Sequence, residues 1–188
     1  AGRLGADDSG RQVVQSKLNI EMAATPEMVE IACRVKPAQV TLVPERPEEV
    51  TTTGGLDVAA NRGAVRLAVE RCRPAGIRVS IFVDAAAAQV EAAQEAGADA
   101  IEINTGPYAD APDGDKPQQL ARIRESADRA ARLGLEVLAG HGLNYFNVQP
   151  IVGVPHIIEL NIGHSIVARA ALVGLDRAVR EMVALLHA

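Results

Sequence analysis

The stretch GADAIEINTGPYAD, residues 97–110, contains the decisive pattern. Gly97 stands between the end of a helical pattern and an apolar run, where glycine can take the left-handed backbone that closes a helix. The run that follows alternates: Ile101 and Ile103 share one side, Glu102 and Asn104 the other, as the two-residue period of a strand requires. Two further segments repeat this arrangement. In LNIEM (18–22), Asn19 and Glu21 oppose Leu18, Ile20 and Met22; in ELNI (159–162), Glu159 and Asn161 share a face. Strands of an open doubly wound sheet are apolar on both faces, because helices cover both. Three strands with one polar and one aliphatic face suit a barrel instead, with helices against the aliphatic side and a polar lumen holding a site near its top.

The rest of the chain agrees with this reading. Strands are expected at 17–22, 39–43, 77–83, 100–104, 135–139 and 157–162. Helices are expected at 26–34, 59–73, 86–96, 116–133 and 144–152, with a long last one over 165–187. Strand followed by helix, repeated six times, implies a parallel sheet with crossovers. AGIRV (75–79), AGADAI (96–101) and LGLEV (133–137) are versions of one junction, with Gly76, Gly97 and Gly134 at the turn. Thr25 before Pro26 is a helix start, an N-cap followed by proline at the first helical position. Leu120, Ile123, Ala127 and Ala130 lie on one face of the 116–133 helix. Residues 105–116 (TGPYADAPDGDK) read as the longest loop.

Composition excludes several classes. A chain of 188 residues, 48% hydrophobic and 23% charged, is expected to form one globular domain. A net charge of −5, 2% aromatics and no Trp argue against a nucleic-acid surface. No apolar run has the length of a membrane span and no signal pattern opens the chain, so a cytoplasmic enzyme is expected. Cys33 and Cys72 read as reduced, packed thiols rather than a disulfide or metal motif. No spacing of His, Cys and carboxylates makes a metal site. Neither GxGxxG nor GxxxxGK[ST] occurs, which weakens dinucleotide and P-loop readings.

In such barrels the chemistry sits at the C-terminal ends of the strands. That rule selects Glu21, the TTTGG loop (51–55), Glu102, Asn104, Gly140-His141-Gly142 and Gly163-His164. A carboxylate within an aliphatic strand is costly unless paired or used, and desolvation raises its pKa toward the range of a general acid or base. Either catalysis or a buried polar network accounts for Glu21 and Glu102. His141, between two glycines after a strand, reads as a proton-transfer group or as a turn histidine bonded to a carbonyl. The run NIGHS (161–165) passes from the last strand into the last helix, whose first N–H groups form an anion site, unless Ser165 simply caps that helix. Asp110, Asp113 and Asp115 read as a solvated loop, and His156 and His187 as structural or surface residues.

Taken together, NIEMAATPEM (19–28), LVPERPEEVTTTGGLDV (42–58), GADAIEINTGPYAD (97–110), GLEVLAGHGLNYFNV (134–148) and ELNIGHSIVARA (159–170) resemble the pyridoxine 5′-phosphate synthase family. The resemblance implies a (β/α)8 TIM-barrel transferase of vitamin B6 synthesis. It would condense 1-deoxy-D-xylulose 5-phosphate with 3-amino-2-oxopropyl phosphate, close the pyridine ring and release phosphate and water. It implies no metal or organic cofactor and a homo-oligomer, typically an octamer; the expectation of no nucleic-acid or membrane partner rests on composition and run length. By position, Glu21 corresponds to the family's proton acceptor, His141 to its proton donor and a contact of the amino ketone, and Glu102 to a transition-state stabiliser. Thr51 corresponds to a deoxyxylulose phosphate contact, and Gly163 and His164 to a phosphate-binding pair.

Family members begin with two further strand-helix units that supply an Asn, an Asp-His pair and several Arg and His residues. Residues 1–16 match that segment poorly. The expectation is therefore about six of eight units in one incomplete barrel domain, with unpaired sheet edges and little synthase activity from this chain alone. Two other readings compete: another phosphate-binding barrel of the sugar-phosphate epimerase or aldolase type, and an inactive remnant that binds phosphates or intact subunits. The aldolase reading lacks a suitable strand lysine, since Lys17 opens its strand and Lys36 and Lys116 lie outside strands.

Overall fold

A computed structural model describes residues 16–45 and 54–187. Six strands are present: β1 (Asn19–Met22), β2 (Gln39–Leu42), β3 (Arg78–Val83), β4 (Ala100–Asn104), β5 (Glu136–Gly140) and β6 (Ile157–Asn161). All neighbours pair in parallel, in strict sequence order from β1 to β6. A doubly wound sheet would reverse its order partway; this one winds in one direction, as a barrel wall does. It also curls. Six flat strands would hold β1 and β6 about 24 Å apart at ordinary strand spacing. Instead Lys17 Nζ, just before β1, reaches Glu159 Oε2 on β6 at 3.5 Å. The expected α/β barrel architecture with six units is thus present as a curled half-barrel. Among the described residues, β1 and β6 each pair on one side only.

The helices are α1 (Pro26–Val35), α2 (Arg62–Cys72), α3 (Ala87–Glu95), α4 (Gly106–Asp110), α5 (Lys116–Arg132), α6 (Gln149–Val152), α7 (His164–Val173) and α8 (Leu175–Leu186). Thr25 caps α1 as expected, its Oγ1 accepting from Met28 N at 3.4 Å. Gly76, Gly97 and Gly134 all take positive φ at the helix-to-strand junctions.

The sheet separates two kinds of interior. On its convex side Val40, Leu42, Val79, Ile81, Val83, Ile101, Ile103, Val137 and Ala139 join helix residues such as Val65, Val90, Ile123 and Ala127 in one apolar core. Phe82, Ala100 and Leu138 are equally buried but stand apart from that core. In register they share the concave face with Glu102 and Glu159. The alternation seen in 101–104 is therefore the partition between core and lumen.

Three expectations need correction. The single long helix over 165–187 is two helices, α7 and α8, broken at Gly174, whose φ of 84° and ψ of 153° no helix accommodates. The 105–116 loop contains α4, started by Pro107 in its first turn. The 144–152 helix is only α6. Asn144 and Asn147 instead bond local backbone, Asn147 Oδ1 accepting from Asn144 N at 2.7 Å, so 144–148 form turns.

Candidate active site

Polar side chains from three strands and the loops beyond them meet in one cleft of about 840 Å³, the size of a small-molecule site. Asn19 and Glu21 come from β1, Glu102 and Asn104 from β4, and Asn161 from β6. Gly106, His141, Gly142, Gly163, His164 and Ser165 come from the loops and helix starts at the C-terminal rim. Glu21, Glu102, His141, Gly163 and His164, chosen from sequence, thus line the same space. Thr51 lies outside the described residues. The described residues resume at Gly54, and the N–H of Gly55 donates to Asp84 Oδ1 at 3.0 Å beyond β3. A side chain on Gly55 would overlap the backbone of Val83 and Asp84.

Among the described residues Glu102 is the most buried carboxyl group, at 1% exposure. Its Oε2 accepts from Asn161 Nδ2 at 2.8 Å, while Oε1 is buried without a hydrogen-bond partner. Burial pushes its carboxyl pKa up from 4.5 to about 7; the Asn161 bond opposes this, and the charges of Glu21 and Glu159 add to it. At neutral pH this carboxyl holds comparable acid and base populations, the condition for moving a proton in either direction. Glu21 differs from the expectation of a desolvated carboxylate. It is exposed to the open cleft, because β1 is a sheet edge among the described residues. The same class of residue in the same strand pattern therefore gives two environments, set by the strand's place in the sheet.

His141 occupies a left-handed backbone at φ 77°, followed by Gly142 at φ 72°. That conformation costs a non-glycine residue on the order of 1–3 kcal/mol and persists only where surroundings hold it. Its ring lies against Phe82, with centroids 4.2 Å apart and planes at 34°. Phe82 shares its strand face with Arg78 and Ser80 but carries no titratable group to single it out; the β3–β4 register pairs it with Glu102 on the lumen face.

At the same C-terminal rim Gly163 holds the N-cap position of α7 and, having no side chain, makes no cap hydrogen bond there. Ser165 does not cap it: its hydroxyl donates to Leu143 O at 2.8 Å, tying α7 to the loop after β5. A β-carbon on Gly163 would meet nothing, so the space above this helix start is open. Asp113 pairs with Lys116 at 2.8 Å and His156 with Asp128 at 3.4 Å, both on the surface. Among the described residues no cluster of His, Cys, Asp and Glu fits a metal ion, and no helix is long and apolar enough to cross a membrane.

Comparison with known proteins adds family information to this geometry. Residues 8–188 match the family model described as pyridoxal phosphate biosynthesis protein PdxJ. The chain is 60% identical over 177 residues to a pyridoxine 5′-phosphate synthase of Parasynechococcus marenigrum, covering 94% of this chain and 71% of that one. It is 57% identical over 178 residues to the enzyme of that name from Trichlorobacter lovleyi, covering 94% of this chain and 74% of the other. Among solved structures it is similar to a xylose isomerase domain protein from Planctomyces limnophilus, with a TM-score of 0.51, 15% identity, and coverage of 88% and 72%. That likeness concerns the barrel fold alone.

Proposed function

Since the chain belongs to the family described as pyridoxal phosphate biosynthesis protein PdxJ, we propose that the cleft is a pyridoxine 5′-phosphate synthase site in which Glu21, Glu102 and His141 move protons. The reaction joins 1-deoxy-D-xylulose 5-phosphate to 3-amino-2-oxopropyl phosphate through a Schiff base, eliminates phosphate and closes the ring. Each stage takes a proton from one carbon or heteroatom and gives one to another. The observation that carries the assignment is the partnerless, buried Oε1 of Glu102, on a carboxyl that titrates at about 7, within a cleft shared with Glu21 and His141.

The roles come from the family resemblance, and the environments of the described residues support them. Glu21, facing the open cleft, accepts protons from substrate carbon. His141, held over Phe82, donates to departing oxygen. Glu102, in the driest position, stabilises charge as it develops, because a preorganised group in a low-dielectric site interacts more strongly than in water. Gly163 and His164 hold the phosphate of the amino ketone at the start of α7, where N–H groups and the helix dipole favour an anion. Thr51 contacts the deoxyxylulose phosphate, and the two anchors position the reacting carbons. We place the reaction in the cytoplasm, and this chain in a homo-oligomer. Val167, Leu172 and Leu175 on α7 and α8 expose apolar side chains suited to association with a second copy.

Incubation of the chain with both substrates, read by pyridoxine 5′-phosphate fluorescence, tests the function. Product that requires both substrates supports the proposal. Binding of both phosphates without product favours the inactive remnant instead. The rate also tests the expectation that six strand-helix units alone make a poor catalyst.

A further inference from the structure

Thr105 follows β4 and occupies the N-cap position of α4, yet its side chain caps nothing in that helix. An N-cap threonine ordinarily accepts from the N–H of the second or third helical residue. Here that end of the helix is served by Asn104, whose Oδ1 accepts from Gly106 N at 2.9 Å. The Thr105 hydroxyl turns the other way. It lies 2.7 Å from Gly140 O and 2.5 Å from His141 O, one proton shared between two carbonyls. Thr105 N also donates to Gly140 O at 2.8 Å. One fully buried residue thus makes three contacts with the two carbonyls that flank and follow the His141 backbone turn.

We propose that Thr105 is a positioning residue for His141: its hydroxyl locks the left-handed backbone turn that lays the imidazole over Phe82 and into the cleft. The proposal rests on His141 as the proton donor only for its effect on rate; its effect on ring placement stands separately. The peptide between Gly140 and Gly142 must turn sharply as β5 ends, and a carbonyl turned inward there has no water to bond. The hydroxyl serves both carbonyls in the turned state, whereas a methyl in its place leaves Gly140 O with the Thr105 N–H alone and takes this donor from His141 O. Serine retains the donor; valine retains the shape.

The test uses the full chain with Thr105→Val, Thr105→Ser, His141→Gln and Phe82→Leu. The chain has four histidines, His141, His156, His164 and His187, so loss of one ring C–H resonance in His141→Gln assigns His141 by NMR. In the unaltered chain that resonance is expected to be displaced upfield by the Phe82 ring, and Phe82→Leu to abolish the displacement. Thr105→Val is expected to abolish it too, and to lower turnover about 10- to 100-fold with little change in KM. Thr105→Ser is expected to restore both. A folded Thr105→Val chain with the His141 resonance unmoved overturns the proposal. If valine prevents folding, Thr105→Ala is read by the same resonance. Should His141→Gln retain full turnover, the proton-donor role fails, while the resonance still decides whether Thr105 sets the ring.

Discussion

Oε1 of Glu102 occupies the space that a β-carbon on Gly140 would need. They are diagonal neighbours on the concave side of the sheet, since Glu102 pairs with Leu138 and Gly140 with Asn104. The same β-carbon would also crowd Asn161, 3.0 Å from its carbonyl oxygen and 3.2 Å from its Cβ. Gly140 is therefore required by what lies beside it: it opens the slot in which a buried carboxyl can sit. Gly140→Ala is expected to cost about 1–3 kcal/mol, the usual penalty of overpacking a filled interior. It should also displace Glu102 and so lower turnover. Thermal denaturation together with a rate measurement checks both.

Glu102 makes folding stability depend on pH. Its folded-state pKa of about 7 lies above the ordinary 4.5. Between those values the folded chain binds more protons than the unfolded one, so stability falls as pH rises through that window. It is fully present below the ordinary value and lost above the raised one. The shift corresponds to a term on the order of 3 kcal/mol. Glu102→Gln, which cannot ionise, is expected to flatten this part of the stability curve. Denaturant titrations from pH 4.5 to 8 measure it; an unaltered slope in the variant would show that Glu102 titrates normally.

Asn161 holds the Glu102 carboxylate through its 2.8 Å bond, the one contribution that lowers the pKa of that group. Asn161→Ala removes this donor from a buried acceptor, which costs about 1–3 kcal/mol. The Glu102 pKa moves further up. The acid-to-base transition in the pH–rate profile is expected to shift to higher pH. A profile that stays in place would detach Glu102 from the rate.

Gly163 offers a cleaner separation of binding from folding. A methyl there meets nothing in the protein and projects into the open space above the start of α7. Gly163→Ala is expected to leave the melting temperature unchanged while raising KM for 3-amino-2-oxopropyl phosphate about tenfold, the effect of obstructing one anion contact. Unchanged KM would move the phosphate elsewhere.

Much of this was legible in the sequence because alternation and glycine punctuation are local. The 101–104 pattern separated core face from lumen face correctly, and the glycines at 76, 97 and 134 marked helix ends that the backbone confirms. What remained hidden depends on register and sheet position. Phe82 alternates with Ser80 on its strand, and its pairing opposite Glu102 is what places it under His141. Asn161 lay on the recognised polar face of β6, but its bond to Glu102 crosses 59 residues of sequence. Glu21 and Glu102 looked alike in pattern, yet one strand is at the sheet edge and the other is interior. Thr105 read as part of a loop, because nothing local reveals that its hydroxyl turns toward β5.

The central claim is that Glu21, Glu102 and His141 act together on bound substrates in one cleft. The most direct measurement is the single-turnover rate of pyridoxine 5′-phosphate formation by the unaltered chain and by Glu21→Gln, Glu102→Gln and His141→Gln, each checked for folding. The account predicts that every variant binds phosphate but slows by about 10²- to 10⁴-fold, the usual contribution of one acid–base group. Folded variants that turn over as fast as the unaltered chain would contradict it.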